Sequence, residues 1–146
     1  MNKHRLKHAQ HNNETCNYLL HGGSHNDWVV TVAFYSAIHF FRYKIFPLEF
    51  NNGDTSLNSF EDFCNSFNIR DKHKALENLV KKFTDREIYM KFRSLKNECW
   101  TCRYSNFNVK EERAKEAYTD LAEISKYCSS KKTNIVLDSK KALDFN

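Results

Sequence analysis

Residues that make turns are scarce in this chain. Three Gly and one Pro stand among 146 residues. That is too few for the repeated tight turns of a β-sandwich, and it suits helices joined by short connections. Long apolar runs are also missing. No stretch approaches the roughly 18 consecutive apolar residues of a membrane-spanning helix, so no membrane partner is expected. The opening Met1-Asn-Lys-His-Arg-Leu-Lys7 is basic but leads into no apolar signal core, and a cytoplasmic location is the expectation. Chemical signatures are missing too. The chain has no Gly-rich phosphate loop, no Gly-x-Ser-x-Gly, no His-Glu-x-x-His and no helix-turn-helix pattern, which counts against ATPase, hydrolase and zinc-protease activities.

Charge and cysteine content bound the rest. The formal net charge is +5 and is spread along most of the expected helices. Such a balance permits nucleic-acid binding without requiring it. The five Cys are an odd number without framework spacing, so they read as reduced, buried thiols.

The richest segment present is Asp27-Trp-Val-Val-Thr-Val-Ala-Phe-Tyr-Ser-Ala-Ile-His-Phe-Phe41. At helical spacing one row holds Val30, Phe34, Ala37, Ile38, Phe41 and Ile45. Another holds Trp28, Val32, Tyr35, His39 and Phe46. A helix apolar on every side must be enclosed by its neighbours or by a partner. Tyr35, His39 and Arg42 lie within it and need hydrogen-bond partners if buried.

Around this helix the chain divides readily. A first helix spans residues 3 to about 20, with a modest stripe of Leu6, Ala9, Cys16 and Leu20. The run His21-Gly-Gly-Ser-His-Asn26 breaks it, with Asn26 or Asp27 as cap for the next helix. That second helix covers about 27–46 and stops at Pro47. Residues 47–56, with Asn51-Asn-Gly-Asp54, read as a loop. Leu57, Phe60, Phe63, Cys64 and Phe67 fit a short helix or a packed aromatic segment. Residues 70–83 place Ala75, Leu76, Leu79, Val80 and Phe83 inward. Thr84-Asp-Arg-Glu87 has the letters of a capping box, opening a helix with Ile88, Phe92, Leu95, Cys99 and Cys102 on one face. Asn108-Val-Lys-Glu111 repeats that cap before a last helix with Ala114, Ala117, Leu121, Ile124 and Cys128 inward. The organisation is therefore an all-α, up-and-down bundle of about four to five helices over residues 1–128. Residues 129–146 form a loose or docking tail, with Ile135-Val-Leu137 as its apolar segment.

Four constellations carry candidate chemistry. Cys99-Trp-Thr-Cys102 has redox or zinc spacing. A lone pair lacks the four ligands of a structural zinc site, and no strand precedes it as in a thioredoxin, so two buried thiols are the plainer reading. His4, His8 and His11 share a helix face, yet no carboxylate completes a metalloenzyme signature. No metal and no cofactor is expected. His39 is either a hydrogen-bonded core histidine or an imidazole suited to proton transfer. Arg103 closes a helix, where a guanidinium either pairs with a carboxylate or grips a phosphate.

Taken in order, these features resemble small prokaryotic HEPN-like proteins. An N-terminal His- and Asn-bearing helix, His8 to Asn13, is followed by a break. Next comes the Asp27-Trp28 helix with Phe34-Tyr35-Ser36-Ala37-Ile38-His39. A helix bearing Asp71-Lys-His-Lys74 follows, then a Tyr-rich helix from Ile88-Tyr89 through Asn97 to Arg103-Tyr104. The resemblance covers about residues 4–128 and implies a helical bundle, often a dimeric ribonuclease of toxin or antiviral systems. The family hallmark is Arg, four to six residues, then His. Here four residues follow Arg103, and Asn108 stands where the His would. Arg5 to His11 fits the letters but lies in the wrong helix.

The resemblance therefore implies a homodimer that binds RNA, a nucleotide or a protein partner in a toxin–antitoxin or defence setting, with a nucleotidyltransferase as the expected partner and a degenerate ribonuclease motif. The alternatives are an active, metal-independent endoribonuclease with an irregular site, or a helical adaptor for protein partners alone. The candidate catalytic residues are His39, His73 and Arg103. The candidate binding residues are Arg42, Tyr104 and Asn108.

Overall fold

The computed structural model describes residues 2–51, 56–130, 132 and 134–144. The turn expected at Asn51-Asn-Gly-Asp54 therefore lies outside the described residues beyond Asn51. Among the described residues six helices run in chain order: α1 (Asn2–Gly22), α2 (Asn26–Ile45), α3 (Phe60–Ser66), α4 (Lys72–Phe83), α5 (Arg86–Tyr104) and α6 (Glu111–Ser129). Two short strands, β1 (Leu48–Phe50) and β2 (Ile135–Leu137), and a 3₁₀ turn at Lys140–Leu143 complete the described elements. Of the described residues 74% are helical, an all-α bundle.

Helix α2 is the axis of the bundle and packs against α1, α4, α5 and α6. The row Val30, Phe34, Ala37, Ile38, Phe41 and Ile45 is buried throughout, as an all-round apolar helix demands. Enclosure stops short on one side. Trp28 and Tyr35 are exposed, and Val32 and His39 are half-buried. Phe34, Phe41 and Phe92 meet as a ring cluster, with Phe34–Phe92 centroids 5.6 Å and Phe41–Phe92 centroids 4.9 Å apart. Helices α5 and α6 bury the faces given by their 3–4 spacing: Ile88, Phe92, Leu95, Cys99 and Cys102 from one, Ala114, Ala117, Leu121, Ile124 and Cys128 from the other.

Two hydrogen bonds fix α1 on α2. Ser36 Oγ donates to the Ala9 carbonyl at 2.8 Å, and Cys16 Sγ donates to the Val29 carbonyl at 3.4 Å. Both pairs are buried, so each carbonyl gains a second partner that solvent cannot supply. All five cysteines are buried and unbridged.

The structure departs from the sequence reading at the joints. The stretch 47–56 is not loop throughout, because β1 pairs in parallel with β2 through Leu48↔Ile135, Glu49↔Val136 and Phe50↔Leu137. Leu48 also exchanges backbone hydrogen bonds with Leu57, at 2.8 and 2.9 Å. The segment's main-chain groups thus find partners on both sides, as buried backbone must. The expected capping boxes do not form. Thr84 ends α4, its hydroxyl donating back to the Val80 carbonyl at 2.7 Å, and α5 starts from Asp85 without a side-chain cap. Asn108 does not cap α6; its amide donates to Asn106 Oδ1 at 2.9 Å, and the helix begins after Lys110. Working side-chain caps lie elsewhere. Ser59 accepts from the Asp62 amide at 3.1 Å, and Asp71 accepts from the Lys74 amide at 3.0 Å. Neither Asn26 nor Asp27 caps α2. Asn26 donates to the Val109 carbonyl at 3.0 Å, and Asp27 takes Arg103 instead.

Candidate functional site

The exposed edge of α2 opens into a cleft of about 310 Å³. Tyr35, His39 and Arg42 reach it from α2, Glu61 from α3, and Lys72 and His73 from α4, over a floor that includes Ile38, Phe60 and Leu76. Helical spacing explains the first three, since residues 35, 39 and 42 fall on one face. Asp71 caps α4 and sets Lys72 and His73 in its first turn. The His73 ring lies against Phe34, with centroids 5.8 Å apart. A second cavity of about 430 Å³ adjoins the first and shares Arg42, Phe60 and Glu61 with it. Its other walls include His4, Arg5 and Asp62.

The two cavities meet at a charge cluster. Glu61 Oε1 accepts from Arg5 Nη2 at 2.8 Å and also from Arg42 Nη2. The Arg42 guanidinium lies over the Phe60 ring, 5.2 Å from its centroid. The His8 ring, one residue before the Ala9 anchor, stacks on His39 at 3.8 Å. His39 sits one turn beyond the Ser36 anchor, so the α1–α2 register itself brings the rings together.

These groups press on one another. Burial, then the charges of His8, Arg5, Arg42 and His4, push the His39 imidazole down to about 4. His39 is therefore neutral near pH 7, and its Nδ1 is buried without a partner. The hydrogen bond expected of a core histidine is missing at that atom. Burial and the neighbouring Arg5 bring Arg42 down to about 10, still protonated at neutral pH, and its Nε is also buried and unbonded. Burial and the surrounding cations lower His8 as well. A proton-transfer catalyst works best with a pKa near the working pH, and the free His39 falls well below it. An anion held in the cleft would draw that pKa back up.

Arg103 does not line this cleft. Its Nη2 donates to Asp27 Oδ2 at 2.6 Å, and its guanidinium lies 4.1 Å from the centroid of the Trp28 ring. The two charged side chains are only 24% and 16% exposed. This is the carboxylate pairing that a helix-end Arg adopts by default. Tyr104 is largely exposed and meets Trp100 edge-on at 5.3 Å, and Trp100 meets His73 edge-on at 5.5 Å. An aromatic path thus links the Arg103 end of the molecule to the cleft. Asn108 is exposed and lines a separate cavity of about 360 Å³ with Asn97, Thr101, Asn106 and Arg113.

The six candidate residues are therefore divided. His39, His73 and Arg42 come together; Tyr104 stands beside them through Trp100; Arg103 and Asn108 stand elsewhere. Among the described residues no group of three His, Cys, Asp or Glu is arranged to hold a metal ion. The face of His4, His8 and His11 instead delivers His8 to His39. Sequence reasoning missed Arg5, Glu61 and Lys72. Lys72 was within reach, since it adjoins His73 in a run already singled out. Glu61 carried no local signal, because its partners lie on other helices. Comparison with known families, with curated proteins and with solved structures finds no match for this chain.

Proposed function

We propose that this chain is a non-catalytic, HEPN-like module that binds the phosphate backbone of single-stranded RNA or a nucleotide, in a toxin–antitoxin or defence setting. One observation carries the reading: Arg42, Lys72, His39 and His73 converge on one open cleft whose lining holds a single carboxylate, Glu61. Cations in a groove attract phosphates, and neighbouring aromatic faces accept unstacked bases. Tyr35, Trp100 and Tyr104 are exposed; Tyr35 lines the cleft, Trp100 meets His73, and Tyr104 meets Trp100, which supports a role for them in stacking. Cleavage is not part of the reading. Arg103 is engaged by Asp27, and the neutral His39 is a weak proton donor at neutral pH.

The test is binding and cleavage of single-stranded RNA by the purified protein. The expected result is salt-sensitive binding with the RNA left intact, weakened by Lys72→Ala and Tyr104→Ala. Cleavage lost in His39→Ala and His73→Ala, with the fold retained, would replace this reading by an active ribonuclease at the same cleft. Cleavage that survives both would reject the site. Asn108→His tests the family correspondence: a gain of cleavage that depends on Arg103 would return the chemistry to the Arg103 end. A nucleotidyltransferase gene beside this one would support the toxin–antitoxin setting.

A second reading also has an observation behind it. Trp28, Tyr35, Trp100 and Tyr104 are each more than two-fifths exposed and project from α2 and α5. Aromatic residues of this kind are enriched at protein interfaces, and a second copy of the chain is the partner we favour there. Sedimentation should then show a dimer that Trp100→Ala dissociates; a monomer at micromolar concentration would count against it.

A further inference from the structure

The geometry points to a phosphomonoester pocket at the Arg5–Arg42 pair, with Glu61 as a built-in stand-in for the phosphate. It rests on the RNA or nucleotide reading for its context and adds the part of the ligand that is recognised: a terminal phosphate. Two guanidiniums from different helices, Arg5 on α1 and Arg42 on α2, both donate to Glu61 Oε1. Converging arginine forks are the usual means of gripping a carboxylate or a phosphate. A carboxylate carries one negative charge, and here it must serve two arginines, with His8 and His39 stacked nearby. A phosphomonoester carries up to two charges and three acceptor oxygens, a closer match to the donors present.

Three further observations fit a displaceable occupant. The Glu61 side chain is 47% exposed while that of Arg42 is 13% exposed, so the carboxylate can swing to solvent while the arginine stays. Glu61 also lines both cavities, together with Arg42 and Phe60. Its departure would enlarge the space beside Arg42 in both, with Lys72 on the α4 side. Finally, Arg42 Nε and His39 Nδ1 are buried without partners. A bound phosphate supplies acceptors to such groups, and its charge favours the imidazolium form of His39. Asp62, which also lines the larger cavity, is a carboxylate that opposes binding there. Backbone phosphodiesters, with one charge each, bind less well against the Glu61 competitor. The pocket thus distinguishes the end of a strand, or a free nucleotide, from its interior.

The experiment compares one short single-stranded RNA bearing a 5′-phosphate with the same RNA bearing a 5′-hydroxyl. A nucleoside 5′-monophosphate and inorganic phosphate are titrated beside them. The expected result is tighter binding of the 5′-phosphorylated RNA by the wild type. Glu61→Gln should raise that affinity on the order of tenfold, the scale of one charge-assisted hydrogen bond, and raise that of the 5′-hydroxyl RNA by less, because only backbone phosphodiesters then gain from the lost competitor. Arg5→Gln should remove the difference between the two ends. Arg5 is the safer variant because it is the more exposed of the two arginines. Equal binding of both RNAs in the wild type and in Glu61→Gln overturns the pocket while sparing the RNA reading. If neither RNA binds, phosphate and the mononucleotide decide. Saturable binding to Glu61→Gln that Arg5→Gln abolishes keeps the pocket and rejects RNA, whereas its absence overturns the pocket as well.

Discussion

Arg42 and Arg103 occupy similar positions and behave differently. Each is half-buried on a long helix, lies over an aromatic ring, keeps a buried Nε without a partner, and pairs with one carboxylate. The difference is ownership. Asp27 serves Arg103 alone in the described ion pairs, and the pair sits against Trp28 with both side chains mostly covered. Glu61 is shared between Arg42 and Arg5 and is nearly half open to solvent. A satisfied, covered pair belongs to the scaffold; an oversubscribed, open carboxylate marks where a second anion can bind. The residue type is the same at both ends, and only the local charge balance tells the two apart.

The largest expected effect strikes the element that holds both ends in place. Phe34 is fully buried on α2, packed on Phe92, and it supports the His73 ring. Phe34→Ala should cost about 3–5 kcal/mol, the range for truncating a core aromatic, read as a lowered urea midpoint. RNA binding should fall with it, because His73 loses its backing. A loss under about 1 kcal/mol would mean that α2 does not anchor the cleft.

The next effect is a difference between two variants. Asp27→Ala leaves Arg103 partly buried and without its carboxylate, which should cost about 1.5–3 kcal/mol, the scale of a hydrogen bond to a charged group. Glu61→Ala removes a more exposed carboxylate but leaves Arg42, only 13% exposed, and Arg5 without their counter-ion, so its cost should be of the same order. Inorganic phosphate should recover that loss in Glu61→Ala by binding the folded state, and should leave the loss in Asp27→Ala in place. Equal recovery by phosphate in the two variants would erase the distinction drawn between the two arginines.

Much of this contrast was out of reach of the sequence for a physical reason. The helices were legible because apolar spacing is local: the rows through Phe34 and Phe41, and the Ile88-to-Cys102 face, emerge buried as read. Pairings between elements were not. Nothing near Leu48 announces Ile135, and three-residue strands carry no usable period. The cap letters at Thr84 misled because a threonine hydroxyl can equally turn back to the carbonyl four residues earlier, which it does. At the site, the polar set of Tyr35, His39 and Arg42 on α2 was visible. Glu61, His8 and Arg5 joined it only through the packing of α1 and α3, and the partner of Arg103 was 76 residues away.

The smallest expected effect is the dependence of stability on pH, and it probes the cationic end directly. In the folded chain His39 takes up a proton only at about 4, whereas its ordinary value is 6.5. Between those values the unfolded chain binds the extra proton and the folded chain does not. Stability is then complete above pH 6.5 and falls as the pH drops toward 4. His8 is lowered too and adds to the same trend. Because His39 retains some access to solvent, the slope should stay below about 1 kcal/mol per pH unit. His39→Asn should flatten it, measured as denaturant midpoints across this window. Arg5→Gln should flatten it in part, since Arg5 is among the charges that hold His39 neutral. Saturating phosphate should do the same in the wild type, because a bound anion favours the imidazolium and brings the folded pKa back toward the unfolded one. A slope that ignores both His39→Asn and phosphate would show that the crowding of positive groups around His39 has no energetic consequence, and Arg42 would then stand on the same footing as Arg103.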